Sequence, residues 1–446
     1  MKQFSLLNTE LELDQYQGQT REQLCAHGKS FKYWRLRILL SMIVGYASFY
    51  LIRQNFALAI PAIEQDLGYS KIQIGAIWSA GALLYGVGKA LAGMIGDRMS
   101  ARYLMTFGLF MSGLTSFYFG LCENLSQFMT AWIVNMCFQS LGWPACARLL
   151  THWFSPKELG TKWALWNSSQ QIGGAIILIL GGFLLVHTSW RYVFFVPAVI
   201  SMIMSIILFV VMRDTPESIG LPSMEEHHGL DICPEEDKLS SWQVLTQKVL
   251  KNKLVWYMCA ANFFVYVTRM SLFTWGPTML REMKGSTIYQ ATGLTAAYDI
   301  AGIFGGIVAG MLSDKFFKGY RGRTGFFFML GISAAIMFLW VSPAQSTWIH
   351  LAAMVLIGFM ISGPQILVGV AAVDFSSKRT AGVASGLTGT VGYIGTAVAG
   401  AGFGALVDLY GWDCTFMIMS ASTLIGAFFF ALTWNHRSKL LENNTM

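Results

Sequence analysis

Two arginines stand where arginine is rarest. The apolar run from about Leu36 to Ile63 is long enough to cross a bilayer as a helix, and Arg53 lies inside it. A guanidinium at that depth costs roughly 2.5–3.5 kcal/mol on insertion scales, so it needs a partner or a purpose. A second apolar run, about Leu254 to Leu280, contains Arg269. The two arginines are 216 residues apart, and Pro61 and Pro277 share that interval. A rare residue recurring at one interval marks an internal duplication with a cation kept in each copy.

The rest of the chain fits that reading. Of its 446 residues 54% are hydrophobic and 12% charged, against about 25% charged in soluble domains, so the chain is expected to live in a lipid bilayer. Twelve apolar runs lie near 36–63, 72–95, 103–122, 126–153, 160–187, 190–212, 252–281, 289–313, 323–342, 347–373, 381–408 and 412–434. Six precede and six follow the polar stretch 213–251, which holds Glu225, Glu226, Asp231, Glu235, Glu236, Asp237 and prolines at 216, 222 and 234. It reads as a linker. The expected fold is therefore an all-α membrane protein with twelve transmembrane helices in two pseudo-symmetric six-helix halves around a central cavity. The expected division is a tail 1–35, a half 36–212, a linker 213–251, a half 252–434 and a tail 435–446. The first 35 residues are polar with no cleavable leader pattern, so the first span is expected to stay as an anchor.

The net charge of +7 raises the question of nucleic acid, and its distribution answers it. With the N-terminus in the cytoplasm, 24 of the 31 Lys and Arg fall in tails and loops on that side. Lys71, Arg191, Arg281 and Lys284 fall on the other, and Arg53, Lys89 and Arg269 lie within the membrane. This is the positive-inside bias, with both termini cytoplasmic and no nucleic-acid partner. The seven cysteines lack metal-ligand or pairing spacing, and most fall in apolar runs and read as small buried residues, with no metal or cofactor expected. No phosphate-binding Gly-x-x-x-x-Gly-Lys-Ser/Thr loop, His-Glu-x-x-His pair or Ser–His–Asp set points to an enzyme.

After span two the sequence reads Gly93-Met94-Ile95-Gly96-Asp97-Arg98, with Arg102 beyond. After span eight it reads Gly310-Met311-Leu312-Ser313-Asp314-Lys315. The doubled Gly-x-x-x-Asp-Arg/Lys loop resembles the signature of the major facilitator superfamily. There it implies a latch between the halves on the cytoplasmic side, with Asp97, Arg98, Arg102, Asp314 and Lys315 as gating groups. Further anchors are Gly45-Tyr46-x3-Tyr50-x2-Arg53-x-x-Phe56, Tyr85-Gly86-x2-Lys89, Gln139-x2-Gly142-Trp143-Pro144, Trp166-Asn167, Tyr266-x2-Arg269 and Gly392-Tyr393. Through them the chain, from about Tyr33 to Trp434, resembles the organophosphate:phosphate antiporters: the hexose-6-phosphate and glycerol-3-phosphate transporters and the hexose-phosphate sensor. The stretches at Cys146–Leu150 and Arg213–Pro222 most resemble the sugar-phosphate sensor and transporter branch.

The chemistry agrees with that resemblance. A phosphate monoester carries one to two negative charges and three acceptor oxygens near neutral pH. Two guanidinium forks, one from each half, can grip it from both sides. Lys89 adds a third positive charge from span two. Tyr46, Tyr50 and Arg53 are spaced i, i+4, i+7, and Tyr266 and Arg269 i, i+3, so each set shares a helix face. The candidate binding set is Arg53, Arg269, Lys89, Tyr46, Tyr50, Tyr85, Tyr266, Tyr393, Gln139, Trp143, Asn167 and Gln170. The empty site is expected to hold Arg53 and Arg269 apart by repulsion. A bound phosphate would bridge them and permit reorientation, which gives exchange rather than leak.

The chain also departs from the family it resembles. Gln54 stands where a lysine is common, Thr274 where an aspartate is common, and Gln170 where a histidine is common. Span eleven carries Thr396 and Ala399 without the charged pair of one hexose-phosphate branch. Asp299 occupies the acidic position of span eight, where pairing with Arg269 or another cation is expected and proton coupling is the alternative. The expected function is exchange of a small phosphorylated metabolite, glucose-6-phosphate first and glycerol-3-phosphate second, for inorganic phosphate, by a monomer in a bacterial inner membrane. Two readings stay open beside it: a receptor reporting hexose phosphate to a histidine kinase, and an ion-coupled symporter of organic anions.

Overall fold

The computed structural model describes residues 21–96, 99–222, 249–375 and 381–436. Fifteen helices, counted among these residues, make twelve passes. They are α1 (Arg21–Leu51), α2 (Asn55–Leu67), α3 (Lys71–Gly96), α4 (Ala101–Phe119), α5 (Leu125–Gln139), α6 (Gly142–Trp153), α7 (Pro156–Asn167), α8 (Ser169–His187) and α9 (Tyr192–Val211). After the segment 223–248, which lies outside the described residues, come α10 (Lys253–Glu282), α11 (Ile288–Met311), α12 (Arg321–Val341), α13 (Thr347–Asp374), α14 (Ala381–Ala397) and α15 (Phe403–Ala431). A five-residue π turn, Val398–Gly402, joins α14 to α15.

Three apolar runs that read as single spans are each two helices. The first pass breaks between α1 and α2 at residues 52–54, the fourth between α5 and α6, and the fifth at Ser168. Conversely, α15 belongs to two passes: its residues before Gly411 complete the eleventh, begun by α14, and those after it make the twelfth, because Gly411 at φ +75° turns the chain where no other residue would do so without strain. Helix α1 begins at Arg21, well before the apolar run, so the first pass continues out of the bilayer as a polar helix.

Among the described residues, seven segments are long and apolar enough to cross a membrane by length and composition alone. Helix α10 is not among them, because Asn262, Thr268, Arg269, Ser271, Thr274 and Thr278 face its buried side. The polar residues turn inward while Val87, Ile179, Ile206, Phe304 and Phe428 are exposed on the outer surface. That inversion belongs to a bundle whose outside solvent is lipid and whose inside is polar.

The halves meet along α8 against α11, along α3 against α14 with its π turn and α15, and where α2 meets α10. Glycines permit the approach: a Cβ on Gly182 would lie 2.3 Å from Thr292 Oγ1, and one on Gly75 2.5 Å from the Gly400 carbonyl oxygen. Ser79 Oγ donates to the Ala397 carbonyl at 2.5 Å and accepts from the Ala401 amide at 2.8 Å. Lys71 Nζ bridges Glu64 in its own half (3.5 Å) and Glu282 in the other (3.1 Å). Asp408 accepts from the Ile72 amide at 2.9 Å. These contacts lie at one end of the bundle, the end poor in basic residues. At the opposite end, polar contacts among the described residues include several within each half: Arg35 with Glu158, Arg148 with Asp214 (3.4 Å), Arg321 with Asp374 (3.1 Å), and Asn252 Nδ2 donating to the Phe375 carbonyl (2.8 Å).

Candidate anion site between the halves

Arg53 sits in the break between α1 and α2. Its amide and that of Gln54 both reach back to the Tyr50 carbonyl, at 3.3 and 3.1 Å, so the helix tightens and stops for one turn. An interrupted helix leaves carbonyls without their i+4 donors. Gln139 Nε2 serves two of them, lying 3.4 Å from both the Phe49 and the Ile52 oxygens. Gln139 is 2% exposed, so the structure makes it a support for the Arg53 turn rather than a wall of the chamber.

The turn swings the Arg53 guanidinium inward. Its Cζ lies 4.1 Å from the Tyr85 ring centroid and 5.6 Å from that of Tyr50. Arg53 is half-buried. Arg269 is 5% exposed, and its Nε and Nη1 are buried with no hydrogen-bond partner. Buried N–H groups of a charged side chain are almost never left idle. Tyr50 lies within electrostatic range of both guanidinium groups.

The wall between them is aromatic. Tyr85 and Tyr393 meet across the halves with rings tilted at 46° and centroids 5.0 Å apart, and Tyr266 meets Tyr393 edge-on at 5.9 Å. Lys89 Nζ lies 3.9 Å from the Trp143 ring centroid and 5.7 Å from that of Tyr393. It points into the bundle rather than out to an interface. A ring face is a weak partner for an ammonium, and an anion can draw it away. Tyr50 donates its hydroxyl to Gln170 Oε1 at 2.9 Å, and Gln170 Nε2 donates to Asn167 Oδ1 at 2.5 Å. Tyr46 is 3% exposed and packs on Trp166, with centroids 4.8 Å apart, so it lies behind the wall.

Asp299 does not pair with Arg269. Its Oδ2 accepts from Gln54 Nε2 at 3.0 Å, across the halves. Gln54 takes the place of a cation here because the residue after Arg53 faces α11. Of the signature-loop residues, Asp97 and Arg98 lie outside the described residues. The others are engaged within their own half or free: Arg102 Nε donates to the Phe209 carbonyl at 2.6 Å, Asp314 pairs with Arg321, and Lys315 is exposed. The latch expected from these groups between the halves is thus not formed by Arg102, Asp314 or Lys315 in this conformation.

Two groups of residues escaped the sequence reading. Trp163 stacks edge-on against both Trp143 (5.7 Å) and Trp166 (5.6 Å), and the Trp-x-x-Trp spacing signalled one helix face. The Lys71–Glu282 bridge was signalled by a lone cation in one base-poor loop and a lone acid, Glu282, in another.

The Major Facilitator Superfamily model matches residues 42–400. A protein of Chlamydia pneumoniae named "Probable hexose phosphate transport protein" is 39% identical over 425 residues, covering 92% of this chain and 93% of its own. A glycerol-3-phosphate transporter of Bacillus subtilis is 39% identical over 417 residues, covering 91% and 94%. A membrane sensor protein of Escherichia coli is 35% identical over 401 residues, covering 89% and 91%. Among solved structures, a bacterial homologue of the human lysosomal transporter Spinster superposes with a TM-score of 0.69 at 14% identity, covering 90% of this chain and 95% of that one. The chain belongs to the major facilitator superfamily and, within it, to the organophosphate:phosphate antiporter family.

Proposed function

We propose that this protein exchanges a small organophosphate, a hexose phosphate or glycerol-3-phosphate, for inorganic phosphate by alternating access. The observation that carries this is the buried Arg269 guanidinium, whose Nε and Nη1 have no partner, on the half opposite Arg53 and Lys89. Leaving a buried charge unpaired costs several kcal/mol, and a doubly acceptor-rich anion offsets that cost. Arg53 and Arg269 would each supply a fork of N–H donors to the phosphate. Lys89 would leave the Trp143 face to neutralise a third oxygen. Tyr50, Gln170 and Asn167 form a hydrogen-bonded chain that can exchange partners with ester hydroxyls, while Tyr85, Tyr266, Tyr393 and Trp143 shape the wall.

Exchange follows from electrostatics. Closing the empty chamber on either side presses two guanidinium groups together. An anion between them reverses the sign of that interaction, so the loaded carrier reorients and the empty one stalls. The named relatives of hexose phosphate and glycerol-3-phosphate support the substrate class. The halves are assigned as 36–212 and 252–434 with 213–251 between them, and the positive-inside bias supports cytoplasmic termini in a bacterial inner membrane. On that assignment the contacts around Lys71 close the outer face, and this conformation faces the cytoplasm.

The test is counterflow of labelled inorganic phosphate in proteoliposomes, challenged with unlabelled phosphate esters. Esters that compete and exchange one for one support the reading. Binding without flux would make the chain a receptor like the sensor relative, and collapse by ionophores without need of internal phosphate would make it a symporter.

A further inference from the structure

The contact between Gln54 and Asp299 is incomplete as an ionised pair. Gln54 is 1% exposed and Asp299 4% exposed. A primary amide offers donors on nitrogen and an acceptor on oxygen, whereas an ionised carboxylate only accepts. Gln54 Nε2 donates to Asp299 Oδ2 at 3.0 Å, yet Gln54 Oε1 is buried with no donor. Turning the amide over does not help, since one of its ends then still lacks a partner. A neutral carboxylic acid cures both defects: its carbonyl oxygen accepts from the amide nitrogen, and its hydroxyl donates to the amide oxygen.

The space around the pair is built for close approach. A Cβ on Gly174 would lie 2.3 Å from Gln54 Oε1 and 2.7 Å from Asp299 Oδ2, so only glycine leaves room for both oxygens. The elements packed on α11 bring few charges here. From α8 come Gln171 and Gly174, and from α13 comes Ser362, none of them ionisable. From α10 comes Arg269, within electrostatic range, and from α11 itself the Tyr298 phenol, which is buried without a partner.

We propose that Asp299 holds a proton in this conformation and that the Asp299–Gln54 acid–amide pair is a proton-binding site joining the two halves beside the anion chamber. When the proton leaves, the amide oxygen loses its donor, the cross-half contact weakens, and a negative charge appears next to Arg269. That charge competes with phosphate for the guanidinium. Asp299 thereby acts as a positioning residue, making anion affinity depend on pH through Arg269 rather than through the ligand alone.

The site is defined without reference to transport, although its effect on affinity rests on the proposed anion site. Infrared difference spectra of the full chain in lipid vesicles at neutral pH should show a protonated-carboxyl band that disappears in Asp299→Asn. No band lost in that variant overturns the proposal, whatever the transport assays give. Binding of inorganic phosphate supplies the second readout. Above the pH at which Asp299 ionises, wild-type affinity relative to Asp299→Asn should fall by up to about tenfold per pH unit, the limit for one linked proton. The variant keeps an amide–amide pair and shares the ligand's own titration, so superimposable profiles would overturn the link to Arg269. Gln54→Lys, which gives an ionised Asp299 a cation, should lose the band while retaining the fold.

Discussion

Gly75→Ala tests whether the face closed by α3 against the α14–α15 junction is the gate. The added methyl would lie 2.5 Å from the Gly400 carbonyl oxygen, 2.9 Å from its carbonyl carbon and 3.0 Å from the Ala401 α-carbon. Ordinary contact begins at 3.4 Å, and all three neighbours are backbone, so none can swing aside. The helices must part by about 1 Å, and overpacking of this size costs about 1–3 kcal/mol. In the opposite conformation these ends separate and the methyl meets nothing, so the whole cost falls on the present state. The equilibrium should move toward opening of this face by roughly 5- to 150-fold. Spin labels at the exposed positions Thr188 and Tyr410, one on each half at this end, report the separation as a distance distribution. A longer-distance population should grow in Gly75→Ala and stay absent in Gly389→Ala, where a Cβ meets nothing within 4 Å. An unchanged distribution in a folded Gly75→Ala protein would refute the gate.

Three further outcomes follow from single contacts. Arg321→Leu strips the partner from Asp374, whose side chain is 2% exposed, and should cost about 3–5 kcal/mol, seen as a lower thermal unfolding temperature in detergent; an unchanged temperature would contradict the buried pairing. Tyr50→Phe deletes the 2.9 Å bond to Gln170 and should weaken organophosphate affinity about two- to tenfold in competition assays, while unfolding temperature holds. Burial works against the Lys71 charge, but Glu64 and Glu282 outweigh it and hold its pKa above the usual lysine value. Its contribution is therefore complete below the ordinary lysine range and lost as pH rises through the raised value. At neutral pH, Lys71→Met should open the same face about two- to fivefold, the modest figure reflecting the 38% exposure of the Glu282 side chain; no change in label distances would remove Lys71 from the gate.

The proposed anion site was legible in the sequence because a charge inside an apolar run has few explanations. Arg53 and Arg269 declared themselves by rarity and interval, and the i, i+4, i+7 spacing placed Tyr50 with Arg53. What was hidden is what depends on three-dimensional breaks. Apolar runs do not show where a helix stops for one turn, so the 52–54 break and the role of Gln139 beneath it could not be read. Gln139 and Tyr46 carry the polar atoms of ligand contacts, yet one holds carbonyls and the other packs on Trp166. The Gln54–Asp299 pair joins residues 245 positions apart, and no local pattern connects them. Sequence could show that a lysine was missing at position 54, but not that Asp299 would take the amide instead of Arg269. The signature loops were recognisable as motifs, while their contacts depend on which face of the bundle is closed.

The central claim is that one anion is held by both halves at once. The direct measurement is an experimental structure of the full chain with inorganic phosphate bound. The account predicts a single phosphate with oxygens in hydrogen-bond range of both the Arg53 and the Arg269 guanidinium groups, and Lys89 turned from Trp143 toward it. Phosphate found on one arginine alone, or away from both, would contradict it.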